Sequence, residues 1–335
     1  MKTPALTLVA ILFLAGPGES ATTPPLGYVT VTVPAGSAAS PSYTPLAIPL
    51  YNNAVFAGAV TSVDSATQIT LGGAVWIAGQ FATTAAPRFA RVTAGAGVGR
   101  SFLITANTPS QLTLSLAHTP TMADLRTVLA AGDTVSILPA NTLGSIFGTT
   151  APILTTGASA SVADNVYLLN GPGLGWSTYF HNATNWRKAG SLANQNDTIF
   201  YPDEGILVVH IGVAPVTLML SGQVPSTVEK TDISGTGSTF GAQRFPVDMQ
   251  LSAVGYQSLP GWVPGATVST ADNVWAWSTS LKKWEQFYYN GTNWRKAGSI
   301  ANQNTRVLPA GSAVIVIRAG TSAPATLSQS LPYVP

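Results

Sequence analysis

The chain has 335 residues, of which only 8% are charged, with a formal net charge of +2 and no cysteine. A typical domain carries ~25% charged residues, and the few Lys and Arg are dispersed, which excludes the concentrated basic footprint that nucleic-acid binding needs. Disulfide bonding is excluded too, so the fold must rest on apolar packing, for which a chain of this length has enough material.

Residues 1–21 read as an export signal. Lys2 supplies the positive start, 5–15 is an apolar run, and Pro17 and Gly18 break it before small residues, which predicts cleavage near Ser20 or Ala21. The run is too short to span a bilayer, and no other segment approaches ~20 consecutive apolar residues. The expected localisation is therefore exported: cell surface or extracellular, with the periplasm as the other destination.

Beyond the signal, 32 Gly and 24 Pro are spread throughout and leave no room for long helices. Short β-branched runs bounded by turn residues predict strands at 28–33, 46–51, 55–63, 68–71, 74–77, 89–93, 101–105, 111–116 and 134–138. Tyr28-Val29-Thr30-Val31-Thr32-Val33 alternates as a half-buried strand does. The segment 122–131 is the one candidate for a helical turn or two. Together these define an N-terminal β domain over 22–150, and the glycine run 95–100 reads as a hairpin turn rather than a phosphate loop.

From there the chain repeats itself. Asn182-Ala183-Thr184-Asn185-Trp186-Arg187-Lys188-Ala189-Gly190-Ser191 returns 108 residues later as Asn290-Gly291-Thr292-Asn293-Trp294-Arg295-Lys296-Ala297-Gly298-Ser299. The same offset carries Ala163-Asp164-Asn165-Val166 onto Ala271-Asp272-Asn273-Val274 and Trp176 onto Trp284. A register held that long means two copies of one folded module, assigned to 151–225 and 261–335, with 226–260 as an unmatched connector holding an edge strand over 245–251. In each copy a strand leads to an aromatic strand, a tight turn, Trp-Arg-Lys, an Asn-rich loop and a wholly apolar strand. The predicted class is all-β: an N-terminal β domain followed by two related sandwich- or barrel-like β modules.

Several phrases in order resemble one known group: Gly27-Tyr28-Val29, Leu46-Ala47-Ile48-Pro49-Leu50, Phe56-Ala57-Gly58-Ala59-Val60, Phe102-Leu103-Ile104-Thr105-Ala106-Asn107-Thr108, Ala131-Gly132-Asp133-Thr134 and the two Ala-Asp-Asn-Val stretches. The pattern is similar to an uncharacterised family of exported β-rich proteins of verrucomicrobial and related Gram-negative bacteria. The resemblance implies export and supplies no activity and no catalytic residues.

The candidate ligand-binding residues are those of the repeat: Trp176, Asn182, Trp186 and Arg187, with Trp284, Asn290, Trp294 and Arg295. Exposed indoles beside amides and guanidinium groups make a sugar platform. The competing reading is that the Trp residues are core plugs, which repetition favours, and that Arg187 and Arg295 pair with Asp164 and Asp272. Asp164-Asn165 and Asp272-Asn273 read as Asx-turns rather than Ca²⁺ ligands, so no metal and no cofactor are expected. There are three histidines, His118, His181 and His210; the last two become Tyr289 and Arg318 in the second copy. Asp203-Glu204 falls in a predicted turn and has no counterpart there.

No catalytic motif appears, and no catalytic residue is assigned. The first functional expectation is a non-enzymatic structural or surface protein whose partner is itself or envelope or extracellular polysaccharide. The second is a glycan-binding adhesin using the repeated loops. The third is a secreted hydrolase with a dispersed site, which requires a concave pocket holding a histidine with a carboxylate.

Overall fold

The computed structural model describes residues 25–334 except 83, 85, 172, 173 and 321. The expected export signal lies outside the described residues. The chain is all-β, and its strands form three packed units.

The chain opens with β1 (Leu26–Val33) and β2 (Ser42–Leu46), which take no part in the unit that follows them. Six strands, β3 (Phe56–Val63), β4 (Gln68–Leu71), β5 (Arg88–Ala94), β6 (Ser101–Asn107), β7 (Gln111–Leu114) and β8 (Thr134–Pro139), close a barrel in the order β3-β4-β7-β6-β5-β8. Closure follows from alternation: Ile69, Leu71, Leu112 and Leu114 point inward while the residues between them stay half-exposed. Register shifts at Val60/Ser62, Val92/Ala94 and Ile104/Ala106 bend three strands around the core. The expected helix over 122–131 reduces to a 3₁₀ turn, Leu125–Thr127, whose buried Leu125 joins the barrel core.

After the barrel come β9 (Asn141–Thr142), α1 (Leu143–Phe147), β10 (Asn165–Leu169), β11 (Trp176–His181), β12 (Trp186–Lys188), β13 (Ile199–Phe200), β14 (Ile206–His210) and β15 (Val216–Gln223). They form the sheet β12-β11-β10-β14-β2, with ribbons β1–β15 and β9–β13 beside it. Then follow β16 (Glu229–Ile233), β17 (Gly237–Ala242), β18 (Met249–Gln250), α2 (Leu251–Val254), β19 (Asn273–Ser278), β20 (Lys283–Tyr289), β21 (Trp294–Lys296), β22 (Val307–Leu308), β23 (Ala313–Arg318) and β24 (Ala325–Gln329). Their sheet is β17-β23-β19-β20-β21, with ribbons β16–β24 and β18–β22. The wiring is the same strand for strand.

The observed units therefore divide differently from the expected spans. Residues 26–46 belong to the first repeat: β1 pairs with β15 from Leu26↔Gln223 to Val33↔Val216, and β2 pairs with β14. The barrel is an insertion in that repeat, between β2 and β9. Asn52 ties its two crossings together, its Nδ2 donating to Pro139 O and Asn141 Oδ1 at 3.0 Å each. Likewise 226–260 is no connector: it supplies β16 and β17, the second repeat's counterparts of β1 and β2. Of the edge strand expected over 245–251, only Met249–Gln250 is extended before α2 begins.

Candidate functional site

Trp186 and Trp294 are fully buried, at 0% exposure, each within the apolar core of its own repeat. Trp186 Nε1 donates to Gly148 O at 2.8 Å and Trp294 Nε1 to Gln257 Oε1 at 3.2 Å. The backbone N–H of each donates at 2.8 Å to the Asn ten residues on, Asn196 or Asn304. An indole whose face packs on apolar side chains and whose N–H is satisfied internally has nothing to offer a sugar. The neighbouring loop residues are equally self-sufficient. Asn182 Oδ1 accepts from the N–H of Thr184 and Asn185, and Asn290 Oδ1 from Thr292 and Asn293, which is the Asx-turn that lets a two-residue corner close.

The expected ion pairs of Arg187 with Asp164 and of Arg295 with Asp272 do not form. Arg187 donates to Leu192 O at 2.7 Å, and with Asn182 it lines a shallow groove of 640 Å³. The backbone of Arg295 forms an isolated antiparallel β-bridge with that of Asn302. The aspartates are instead buried clamps. Asp164 accepts from Thr155 N, Ile211 N and His210 Nδ1; Asp272 accepts from Val263 N and Ala319 N and lies 2.8 Å from Arg318 Nε. Asn165 and Asn273 each donate to two upstream carbonyls. His181 is buried as well, its Nε2 facing Thr149 O and its Nδ1 accepting from Ala183 N.

Two of the eight candidates, Trp176 and Trp284, lead elsewhere. Trp176 is 39% exposed and packs edge-on against Phe240 at 5.3 Å; Trp284 meets the same ring at 6.3 Å. Phe240 lines a cleft where the barrel and both repeats meet. This cleft, 190 Å³ in volume, also takes His118 and Pro120 from the barrel, Asn170, Asp203 and Glu204 from the first repeat, and Asp232, Ser234, Ser238 and Thr239 from the second.

Backbone pairing fixes the cleft's acidic wall. Gly205 N donates to Phe240 O at 2.7 Å and Ala242 N to Asp203 O at 3.0 Å, so the turn before β14 lies along β17. From the barrel side His118 Nε2 comes within 3.2 Å of Glu204 Oε1 and 3.9 Å of Asp203 Oδ1, while its ring stacks on Tyr201 at 3.7 Å. Glu204 keeps 27% of its side chain exposed, yet protein crowds the carboxyl enough that burial, eased by His118, pushes it up to about 7. Among the described residues, His118 is the one basic side chain within 4 Å of its carboxyl. Asp232 differs: its two oxygens accept from Arg100, Thr121 and Thr326. No group of three or more His, Asp and Glu among the described residues is arranged to hold a metal ion.

Beside the cleft, buried charge locks the barrel to the second repeat. Glu229 on β16, fully buried, takes Arg91 of β5 on one oxygen and Arg244 on the other, and accepts from Tyr51 Oη at 2.6 Å. The hairpin 95–100 presses against the same strand. Gly99 has φ +89°, and an added Cβ there would stand 2.3 Å from Val228 O, so only glycine fits. These contacts had no signal in the local sequence, and nothing in it paired His118 with the unmatched Asp203-Glu204, a contact that only the fold makes. No helix among the described residues is long and apolar enough to cross a membrane.

Comparison of the chain with protein-family models, with curated proteins and with solved structures finds no match.

Proposed function

We propose that this chain is an exported, non-enzymatic scaffold of the cell surface or extracellular matrix, which presents weakly charged β surfaces to copies of itself or to envelope polysaccharide. One observation carries the reading: in both copies the duplicated Trp186 and Trp294, Asp164 and Asp272 are buried and internally bonded. A duplicated motif used wholly for packing fits a module multiplied for its shape. The burial of Arg91, Arg100, Glu229, Asp232, Arg244 and Glu285 supports the same reading, because it leaves the surface poorer in charge than the sequence suggests.

Light scattering and negative-stain microscopy of the mature chain, with co-sedimentation against purified envelope polysaccharide, test the proposal. Concentration-dependent assembly or co-sedimentation is expected. A monodisperse monomer at high concentration that pellets with no polymer would sink it.

The His118–Glu204 contact in the cleft favours one second reading, the dispersed-site hydrolase, which asked for a histidine with a carboxylate in a concave pocket. Turnover of chromogenic glycosides or esters by the native chain, lost in Glu204→Gln, would establish it in place of the scaffold.

A further inference from the structure

We infer that the three-way cleft is a binding site for one pyranose ring of a neutral polysaccharide, held by Asp203, Glu204 and His118, with Trp176 packed against its lining residue Phe240. The inference rests on the polysaccharide arm of the proposed function and names the place where that polymer is gripped.

The chemistry of the walls selects the ligand. The carboxylates of Asp203 and Glu204 offer acceptor positions that no hydrogen-bond donor among the described residues fills apart from the His118 contact. In the same cleft the Thr239 hydroxyl accepts from Ser234 N and keeps its proton to donate, and Ser238 has a hydroxyl without a hydrogen-bond partner among the described residues. A cleft that offers both free acceptors and free donors suits a ligand that both gives and takes hydrogen bonds, as vicinal hydroxyls do. An ammonium ligand would use only the acceptors. An anion would meet the acidic wall. Trp176, 39% exposed and edge-on to the lining residue Phe240, is an aromatic surface beside the cleft for the C–H face of a ring continuing from it.

Size and geometry narrow the site further. At 190 Å³ the cleft is smaller than the ~300–1,000 Å³ that drug-sized ligands occupy, so it takes a single ring with the polymer continuing outside. Glycoside hydrolysis needs two carboxyl groups flanking the scissile bond. Here the two free carboxyls are consecutive residues on one turn, and the third carboxyl of the lining, Asp232, is engaged by Arg100, Thr121 and Thr326. Among the described lining residues no second free carboxyl stands apart from that pair to flank a scissile bond.

Titration calorimetry of the full mature chain with soluble neutral β-glucan, mannan and galactan tests the inference, run on the native chain, Glu204→Gln and Trp176→Ala, with reducing ends assayed in parallel. The expected result is binding of at least one polymer, weakened about tenfold or more by each variant, as loss of a hydrogen bond to a charged group or of a ring contact implies. Thermal melts show that each variant is folded, and Glu204→Gln, which keeps the side chain's shape, stands even where Trp176→Ala does not. Equal binding by the native chain and both folded variants overturns the cleft while leaving the polysaccharide scaffold intact. Binding to none of the polymers overturns the inference, and co-sedimentation of the native chain with whole envelope polymer then shows separately whether the broader reading survives. Release of reducing ends by the native chain overturns it in favour of the hydrolase.

Discussion

Asp164 and Asp272 hold chemically different side chains in one geometry. His210 Nδ1 lies 2.6 Å from Asp164 Oδ2, and 108 residues further on Arg318 Nε lies 2.8 Å from Asp272 Oδ2. The remaining oxygen of each aspartate takes the N–H just past the partner, Ile211 or Ala319, at 2.7 Å. What reads in the sequence as a lost residue is one clamp with a substituted partner.

The two clamps should differ in how they fail. Asp272→Asn strands a buried guanidinium whose charge is permanent, whereas Asp164→Asn leaves an imidazole, a ring that carries no fixed charge. Asp272→Asn is expected to cost about 3–5 kcal/mol and Asp164→Asn distinctly less, read from urea denaturation of each variant. Equal losses would show that the aspartates act through the backbone N–H groups alone.

Trp186→Ala and Trp294→Ala should each destabilise the chain by about 3–5 kcal/mol, the range for deleting a buried aromatic side chain. The measurement is the midpoint of a denaturant titration. A folded variant with a near-native midpoint would mean that the indole is not the packing anchor its burial indicates.

Glu229→Gln removes the charge between Arg91 and Arg244 and leaves two guanidinium groups buried without their counter-ion. A loss of about 3–5 kcal/mol is expected. Because Arg91 sits on the barrel and Glu229 on the second repeat, limited proteolysis should also release the barrel sooner. Unchanged protease resistance would place the docking energy in the apolar contacts instead.

Glu204 provides the pH test. Its pKa stands near 7 folded, chiefly because burial disfavours the charged form, against an ordinary 4.5. The folded state therefore binds the proton more tightly than the unfolded state. The associated stability is complete below about pH 4.5 and is lost as pH rises through about 7. His118 and Asp203 face the carboxyl with opposing effects. With the exposure of the side chain reducing the effect, native protein should lose on the order of 1–3 kcal/mol relative to Glu204→Gln across that window, seen as melting temperatures that lie close together near pH 4.5 and diverge toward pH 7, the native protein lower. Parallel pH profiles would contradict the burial argument.

The sequence was legible where the signal is local. Alternation in Tyr28–Val33 predicts β1, and Gln68–Leu71 is a strand to the residue. Alternation sets which face is buried but says nothing of the partner, so β1 was grouped with the barrel that follows it and not with the distant β15. The burial of Trp186 and Trp294 was legible through repetition, since a multiplied module keeps its anchors. The same logic hid the cleft. A residue required by the module should occur in both copies, and Asp203, Glu204 and His118 occur once, because they meet where three unlike units join and no unit needs them for its own core.

The barrel inserted between β2 and β9 also sets an order of assembly. Leu26 must wait for Gln223 to be made before β1 gains its neighbour, while the barrel finds every partner between Phe56 and Pro139. Contacts so far apart along the chain form slowly, so the barrel closes first and draws together the two ends of its own host. During that interval the edge of β1 is open to unintended strand pairing, which makes the nascent first repeat, rather than the barrel or the contiguous second repeat, the stretch most in need of a chaperone.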